Sequence, residues 1–597
     1  MKGLVFSFFL AYTTYVYAQD TSLALPIDSP AFTIDSLVLD SLNASNEKKE
    51  KFIDYFNLMP KAVRDYTPSD YFEAYKNLEI NSIEVFVVDR FDVPVYEQDD
   101  INDAQLIQSK RGIQSSVLVR KQLLFKEGDV VDPRLVADTE RNIRENTIYK
   151  DAIITIEQTP HLPGVDIKVY AHDNRHWKAI FWGTPTSLTL GGAFYDFFGV
   201  SQQLQFFGTG IIDPRNPYQI GAEYKVNNIA RSQIDFGVQY NKQNQRESYG
   251  FQIDRKFFAY NTKWAGKFAV TNNAVKIENN QISNKYNNRF FQMEAWLARS
   301  FGLKKINERN PTMRMIISGR GLVKNNYAIP KDQPFQNFVN RQLYMGSIGL
   351  ANRDWYGFEE LYRFRQFDYV PKGFNIAYMG GYEINQILGG RVYNGLNLNY
   401  SKQYEGFGFM KNDISLGSFV RNKGIEQITL QSINSFFTNK IPVGRLGFRQ
   451  FITANTTLSF NRPISEFYNI GNGAIRGFES QKLIGTKSFV LNLESVFYTN
   501  VDWWTSRGNF FFFADLGFLG RSNKDFIFNN RVYQGYGGGI RFQNLTLGIA
   551  YMEVSLAYYP NGYTVQERNF GFQIGDIPPR EINPNNLFSP GVLSDIY

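Results

Sequence analysis

The 597-residue chain contains no cysteine and only three histidines, His161, His172 and His176. Without cysteine there is no disulfide framework, and no lipid-modified cysteine follows the leader. The three histidines lie close together, so a Ser-His-Asp hydrolase or a histidine-ligated metal site in the long C-terminal region lacks its central residue. A histidine-free acid protease would need paired carboxylates, and no spacing of Asp and Glu singles out a pair. After the leader no stretch of 18 apolar residues occurs, which excludes helical membrane spans. No fixed repeat period is present, so a solenoid or propeller has nothing to build on. Charge is modest at net +7, with Lys and Arg scattered rather than clustered. That pattern fits solvated loops and polar interior surface and no nucleic-acid groove.

Aromatic residues, by contrast, are abundant at 16%, with 53 Phe and 36 Tyr beside 48 Gly. Residues 1–18 read as a signal peptide: a Lys2 start, an apolar run from Leu4 to Tyr17, and small residues before Gln19. The run is too short to span a bilayer, which disfavours a membrane anchor. Residues 19–80 read as a tether or short helical cap, with an amphipathic stretch at Asn46–Leu58, a second short helix at Ser69–Leu78, and breaks at Pro60 and Pro68.

Residues 81–173 change character. Ile83 to Val87 predicts a strand and Ser116 to Leu124 a helix. Asp132-Pro133 supplies an N-cap and N1 proline to a second helix, whose stripe of Leu135, Val136, Thr139 and Ile143 has helical spacing. Tyr149 to Glu157 and Val165 to Tyr170 predict two more strands, and Asp92 to Ile113 reads as an insertion. The predicted order is β-α-α-β-β.

From 174 to 575, short segments alternate strictly: Phe236, Val238, Tyr240; Tyr249, Phe251, Ile253; Leu396, Leu398, Tyr400. The intervening positions are Asn, Gln, Gly and charged. Lipid outside and water inside explain this better than the filled core of a soluble barrel. About 25 residues per strand and connection predicts about sixteen strands, with fourteen or eighteen also compatible. Residues 576–597 are a Pro/Asn-rich tail.

Two late segments carry the candidate site. Gly471-Asn-Gly473-Ala-Ile-Arg476-Gly477-Phe478 is a loop with three glycines, which allow tight turns and close backbone approach. In Phe513-Ala-Asp515-Leu-Gly517, period-2 alternation sets Phe513, Asp515 and Gly517 on the face opposite Phe510, Phe512, Ala514 and Leu516. A carboxylate facing inward from an apolar strand needs a partner, and Arg476 is available. Glu494 is a second inward carboxylate. A water-mediated pair of this kind contributes about 1–3 kcal/mol, enough to order a loop but not a barrel. Gly535, Gly537 and Gly539 form a glycine-rich strand. With no following helix and no Lys-Ser/Thr, it does not read as a phosphate loop.

Arg476-Gly477-Phe478 and Phe513-x-Asp515-x-Gly517 together resemble the signature of the outer-membrane superfamily that assembles or transports polypeptides and carries POTRA (polypeptide-transport-associated) domains. This is the BamA/TamA/FhaC-like, bacterial surface antigen type. Leu123-Leu-Phe-Lys-Glu-Gly-Asp129 and the helix after it resemble one POTRA domain. The resemblance implies a transmembrane antiparallel β-barrel of about sixteen strands, one POTRA-like periplasmic α/β domain, and an outer-membrane location in a diderm bacterium. It implies that the Arg476 loop folds into the barrel to meet the Asp515 strand. It also implies clients that are unfolded outer-membrane or secreted polypeptides, contact with outer-membrane lipid, periplasmic or lipoprotein accessory subunits, and no cofactor, metal, enzyme activity or nucleic acid. The alternatives are a dedicated exporter of one secreted polypeptide, with Asn46–Leu58 as a plug, and a passive porin-like channel.

Overall fold

The computed structural model describes residues 67–88, 112–146, 148–158, 163–174, 176–196, 201–211, 218–243, 246–278, 285–303, 312–328, 339–362, 367–422, 424–462, 468–469, 474–476, 484–503, 506–520, 526–544, 549–560 and 569–575. The expected signal peptide, Asn46–Leu58, Gly477, Phe478 and the tail 576–597 lie outside these residues.

The first described part is a small α/β module. One helical turn, α1 (Pro68–Tyr71), precedes strand β1 (Ile80–Val88), helices α2 (Gly112–Gln122) and α3 (Pro133–Glu145), and strands β2 (Tyr149–Gln158) and β3 (Val165–Asp173). The sheet order is β1-β3-β2, with β1 parallel and β2 antiparallel to β3. Strand β3 alternates buried and half-buried along its length, as a strand covered by helices on one face must. Val165, Ile167 and Val169 meet Ile143 and Val136 of α3 in one core. Phe72 joins this core, so residues from 67 onward, expected in the tether, pack into the module. The Asp132 carboxylate caps α3 by accepting from Arg134 N at 3.1 Å.

A closed antiparallel barrel follows: β4 (Trp177–Thr184), β5 (Ser187–Tyr195), β6 (Gln202–Ile211), β7 (Tyr218–Val226), β8 (Asp235–Gln243), β9 (Arg246–Arg255), β10 (Trp264–Glu278), β11 (Lys285–Gly302), β12 (Met313–Ala328), β13 (Arg341–Glu359), β14 (Phe367–Asn385), β15 (Gly389–Tyr404), β16 (Gly408–Arg421), β17 (Gly424–Thr438, extended by Ile441–Val443), β18 (Leu446–Phe460), β19 (Lys487–Trp503), β20 (Ser506–Gly520), β21 (Val532–Asn544), β22 (Ile549–Tyr558) and β23 (Phe570–Gly575). The barrel therefore has twenty strands, not the sixteen expected. The average spacing misled because several hairpins turn in two residues, as at Pro185-Thr186 between β4 and β5. The stretch Trp177–Leu190 thus spans a hairpin rather than a single strand.

The wall has the polarity of a membrane barrel. Leu396, Leu398 and Tyr400 of β15 are exposed on its outer face, while Asn397, Asn399 and Ser401 are buried inside. Closure gives every wall strand a hydrogen-bonded neighbour on both sides, as strands in hydrocarbon require. No helix among the described residues is long and apolar enough to cross a membrane.

Two departures from a regular cylinder matter below. First, β23 closes the barrel against β4 through only two residue pairs, Ile574 with Gly183 and Gly575 with Trp182, whereas β22 and β23 share six. Second, β13 and β14 outgrow their neighbours. Beyond Asn352 and Gly373 they pair only with each other, making a two-stranded arm from Arg353 to Gly373 at the module end. At Gly373, with φ +134°, a Cβ would sit 2.0 Å from the Asn352 carbonyl oxygen. Only glycine permits this bend.

The arm bridges module and barrel. Trp355 lies under the Arg141 guanidinium of α3 at 4.1 Å, and the Tyr369 hydroxyl accepts from Arg144 at 2.8 Å and donates to Glu140 at 2.9 Å. In the opposite direction Phe358 packs edge-on against Phe437 of β17 at 4.9 Å, and Lys440 reaches Glu360 at 2.8 Å. The connection after β9 also holds α3: Arg141 donates to the Phe258 carbonyl at 2.8 Å and Tyr260 N to Asp138 at 2.9 Å. The Tyr260 hydroxyl donates to the capping carboxylate of Asp132. Burial first, then the hydrogen bond to that carboxylate, push the hydroxyl's pKa up, so it remains a donor. The charged face of α3, ordinarily a solvated one, is buried here because it docks.

Candidate functional site

Strand β4 leaves the module end, so every second connection, beginning with β4–β5, lies at the far end. The long β18–β19 connection that carries Arg476 is one of these. Its described tip, Ala474 to Arg476, nevertheless lies inside the barrel. Asp515 stands five residues in from the end of β20 at Gly520 and is fully buried.

The geometry is a fork meeting a fork. Arg476 donates to Asp515 from Nε to Oδ2 at 3.1 Å and from Nη2 to Oδ1 at 3.0 Å, and its backbone N–H adds a third bond at 2.8 Å. Its Nη1 reaches Glu494 of β19, and its Nη2 also donates to the Leu493 carbonyl at 3.1 Å. The guanidinium lies over the Phe513 ring at 4.1 Å. Bidentate contact with stacking is the arrangement arginine supports and lysine does not. The contacts are direct, not the water-mediated pair expected. The Asn492 side chain donates to the Ala474 carbonyl at 3.0 Å, and the Tyr559 hydroxyl to the Arg476 carbonyl at 2.8 Å.

The glycine-rich strand serves this site by leaving space. A Cβ at Gly535 would lie 2.8 Å from the Ile475 side chain of the loop tip, and one at Gly537 would lie 2.5 Å from the Phe513 ring. At Gly539 it would meet the Phe511 ring at 2.9 Å. Rings and loop tip therefore press flat against the β21 backbone. Gly535→Val should unseat the tip while the sheet survives. Protease cleavage within 470–483 should rise at least tenfold with an unchanged β-sheet circular-dichroism signal; equal cleavage rates would refute the role given to Gly535.

Gly517 continues β20 on the Asp515 face, paired with Val490 and Tyr533. The structure brings Arg476, Glu494, Phe513, Asp515 and the three glycines together. It also adds residues that the sequence reading did not single out. Arg541 of β21 pairs with Glu494, with Nη2 to Oε2 at 3.1 Å, and with Glu553 of β22 at 2.9 Å. Its guanidinium covers Phe511 at 3.9 Å, repeating the Arg476–Phe513 stack one layer towards the module. Arg541 was within reach of the sequence, because it continues the period-2 face of Gly535, Gly537 and Gly539. Glu553 and Tyr559 carry no local signal. Among the described residues, no three His, Asp or Glu side chains are grouped as metal ligands.

No protein-family model matches the chain, and no curated protein matches it. Solved structures do. The chain is similar to BamA from Haemophilus ducreyi lacking POTRA domains 1–3, with 12% identity, 83% of this chain and 84% of that one covered, and a TM-score of 0.38. It is similar to CdiB from Escherichia coli, with 11% identity, 84% and 76% covered, and a TM-score of 0.45. It is also similar to the alcaligin outer-membrane receptor FauA from Bordetella pertussis, with 8% identity, 73% and 83% covered, and a TM-score of 0.33.

Proposed function

We propose that this protein is an outer-membrane factor that inserts polypeptide clients into the membrane through the seam between β4 and β23, with the α/β module as a periplasmic POTRA domain. The observation that carries the reading is the two-pair seam. Edge N–H and C=O groups exposed to hydrocarbon cost several kcal/mol each, so a wall strand is ordinarily paired along its length. A seam of two pairs gives up little ladder when it opens, and a client strand that adds to the freed edge satisfies the groups left behind. Folding into lipid then drives the step without nucleotide or metal.

The strands flanking the seam are short: β4 to β9 have 8–10 residues, β22 has 10 and β23 has 6, against 13–19 in β10 to β21. The wall is therefore lowest where a client would enter. The module's fold order and its β1-β3-β2 sheet support the POTRA reading. Within the module sheet β3 is central and paired on both sides, because the parallel β1 covers it. The edges belong to β1 and β2. Export through the lumen, the second reading, is disfavoured by the arm at the module end and the loop tip inside the far half.

Depletion in the native cell tests this. Loss of many assembled barrels is the expected result. Loss of one secreted product alone would make the protein an exporter, and loss of small-solute uptake alone would make it a channel.

A further inference from the structure

Tyr559 follows directly after β22 and is fully buried. It touches both moving parts of the proposed machine. Its hydroxyl donates to the carbonyl of Arg476 at the loop tip at 2.8 Å. Its backbone N–H donates to the Asn569 carbonyl at 2.7 Å, one residue before β23 begins. Its ring lies across two glycines: a Cβ at Gly535 would sit 3.3 Å from the ring, and one at Gly571 of β23 would sit 2.8 Å from the hydroxyl. Ile475 of the loop tip shares its cluster. Resting on the seam reading above, we propose that Tyr559 is the positioning residue that couples loop seating to seam closure.

The physical argument is one of shared space and a shared acceptor. With the tip seated, the hydroxyl is satisfied and the ring is held against Gly571, which fixes β23 in the plane that meets β4. With the tip withdrawn, the buried hydroxyl loses its bond to the Arg476 carbonyl, which is costly, and Ile475 no longer backs the ring. The ring then leaves its slot, and β23, held to β4 by two pairs, loses its inner support. Linkage makes the effect reciprocal: disturbing β23 under Tyr559 must unseat the loop by the same factor.

The absence of cysteine allows two clean reporters in the full-length protein. Gly183→Cys with Ile574→Cys reports the seam, since a Cβ on Gly183 would lie 3.4 Å from the Ile574 side chain. Ala474→Cys with Asn492→Cys reports loop seating. In the seam reporter, Tyr559→Phe keeps the ring and removes only the hydroxyl. It should slow disulfide formation about tenfold, the ratio that loss of one hydrogen bond of about 1.4 kcal/mol produces. Arg476→Ala should slow it at least as much, and the double variant no further than Arg476→Ala alone. In the loop reporter, Gly571→Ala should lower crosslinking by a similar factor. An unchanged seam rate in Tyr559→Phe, additive effects in the double variant, or undisturbed loop crosslinking in Gly571→Ala would each overturn the coupling. Neither reporter depends on clients. A variant that opens the seam without altering client assembly would instead overturn the proposed function and leave the coupling intact.

Discussion

Asp515→Ala is expected to expel the Arg476 loop tip from the lumen while leaving the barrel folded. Asp515, itself fully buried, accepts three bonds from the largely buried Arg476. Deleting it leaves a largely buried guanidinium with Glu494 as its one carboxylate partner among the described ion pairs, and Arg541 also engages Glu494. Removing one partner of a buried ion pair costs about 3–5 kcal/mol, because the other charge remains desolvated. A loop tip with a few side-chain contacts has no comparable reserve, so it leaves. The barrel ladders around it involve Asp515 only through its backbone, and the melting temperature should fall by a few degrees at most. Arg476→Ala should give the same functional loss, and Arg476→Lys most of it, because an ammonium cannot make the bidentate contact. The measurements are crosslinking of Ala474→Cys to Asn492→Cys, thermal unfolding, and the amount of assembled client in a depletion strain carrying each variant. Loss of crosslinking and client assembly at near-constant stability is the expected pattern. Retained crosslinking in Asp515→Ala would show that Glu494 alone seats the loop.

The sequence revealed the site better than the scaffold. Arg476, Asp515 and Glu494 were legible because an inward carboxylate on an apolar strand demands a cation, and period 2 tells inward from outward without knowledge of the strand count. The glycines of β21 were visible as a glycine-rich strand, but their purpose depends on rings that arrive from β20 and on a tip that arrives from β18–β19. Strand number was not legible. Two-residue hairpins leave little turn signature, and an average spacing cannot distinguish short strands beside the seam from tall strands opposite it. The module was read from the Asp132 cap and the stripe of α3. The opposite face of that helix, Asp138, Glu140, Arg141 and Arg144, looks like ordinary solvated charge until Trp355, Tyr369 and Tyr260 are placed against it. The arm escaped for the same reason: nothing local in Arg353 to Gly373 says that its strands continue past their neighbours.

That arm supports the second large expected effect. From β13 and β14 it reaches α3 and the β9–β10 connection on one side and β17 and β18 on the other, so it lies as a chord across the module end of the barrel. Its hold on α3 includes the Arg141–Trp355 stack and the Tyr369 hydroxyl between Arg144 and Glu140. A desolvated cation–π contact contributes about 2 kcal/mol, and a hydrogen bond to a charged group about 1.5–3 kcal/mol. Trp355→Ala combined with Tyr369→Phe should therefore weaken the latch by about 3–5 kcal/mol, more than a hundredfold in the open-to-closed ratio. The barrel wall stops short of this hairpin, so its ladder is untouched. In planar bilayers the double variant should show frequent large openings where the parent protein is mostly closed. Replacing 354–372 by a tight turn should make the openings permanent. Both variants should resist heat as the parent does, because the latch joins module to arm rather than strand to strand. Parent-like conductance in the shortened protein would place the closure elsewhere and leave the arm a rigid strut. Permanent conductance with normal client assembly would show that clients do not pass through the lumen, as insertion at the seam requires.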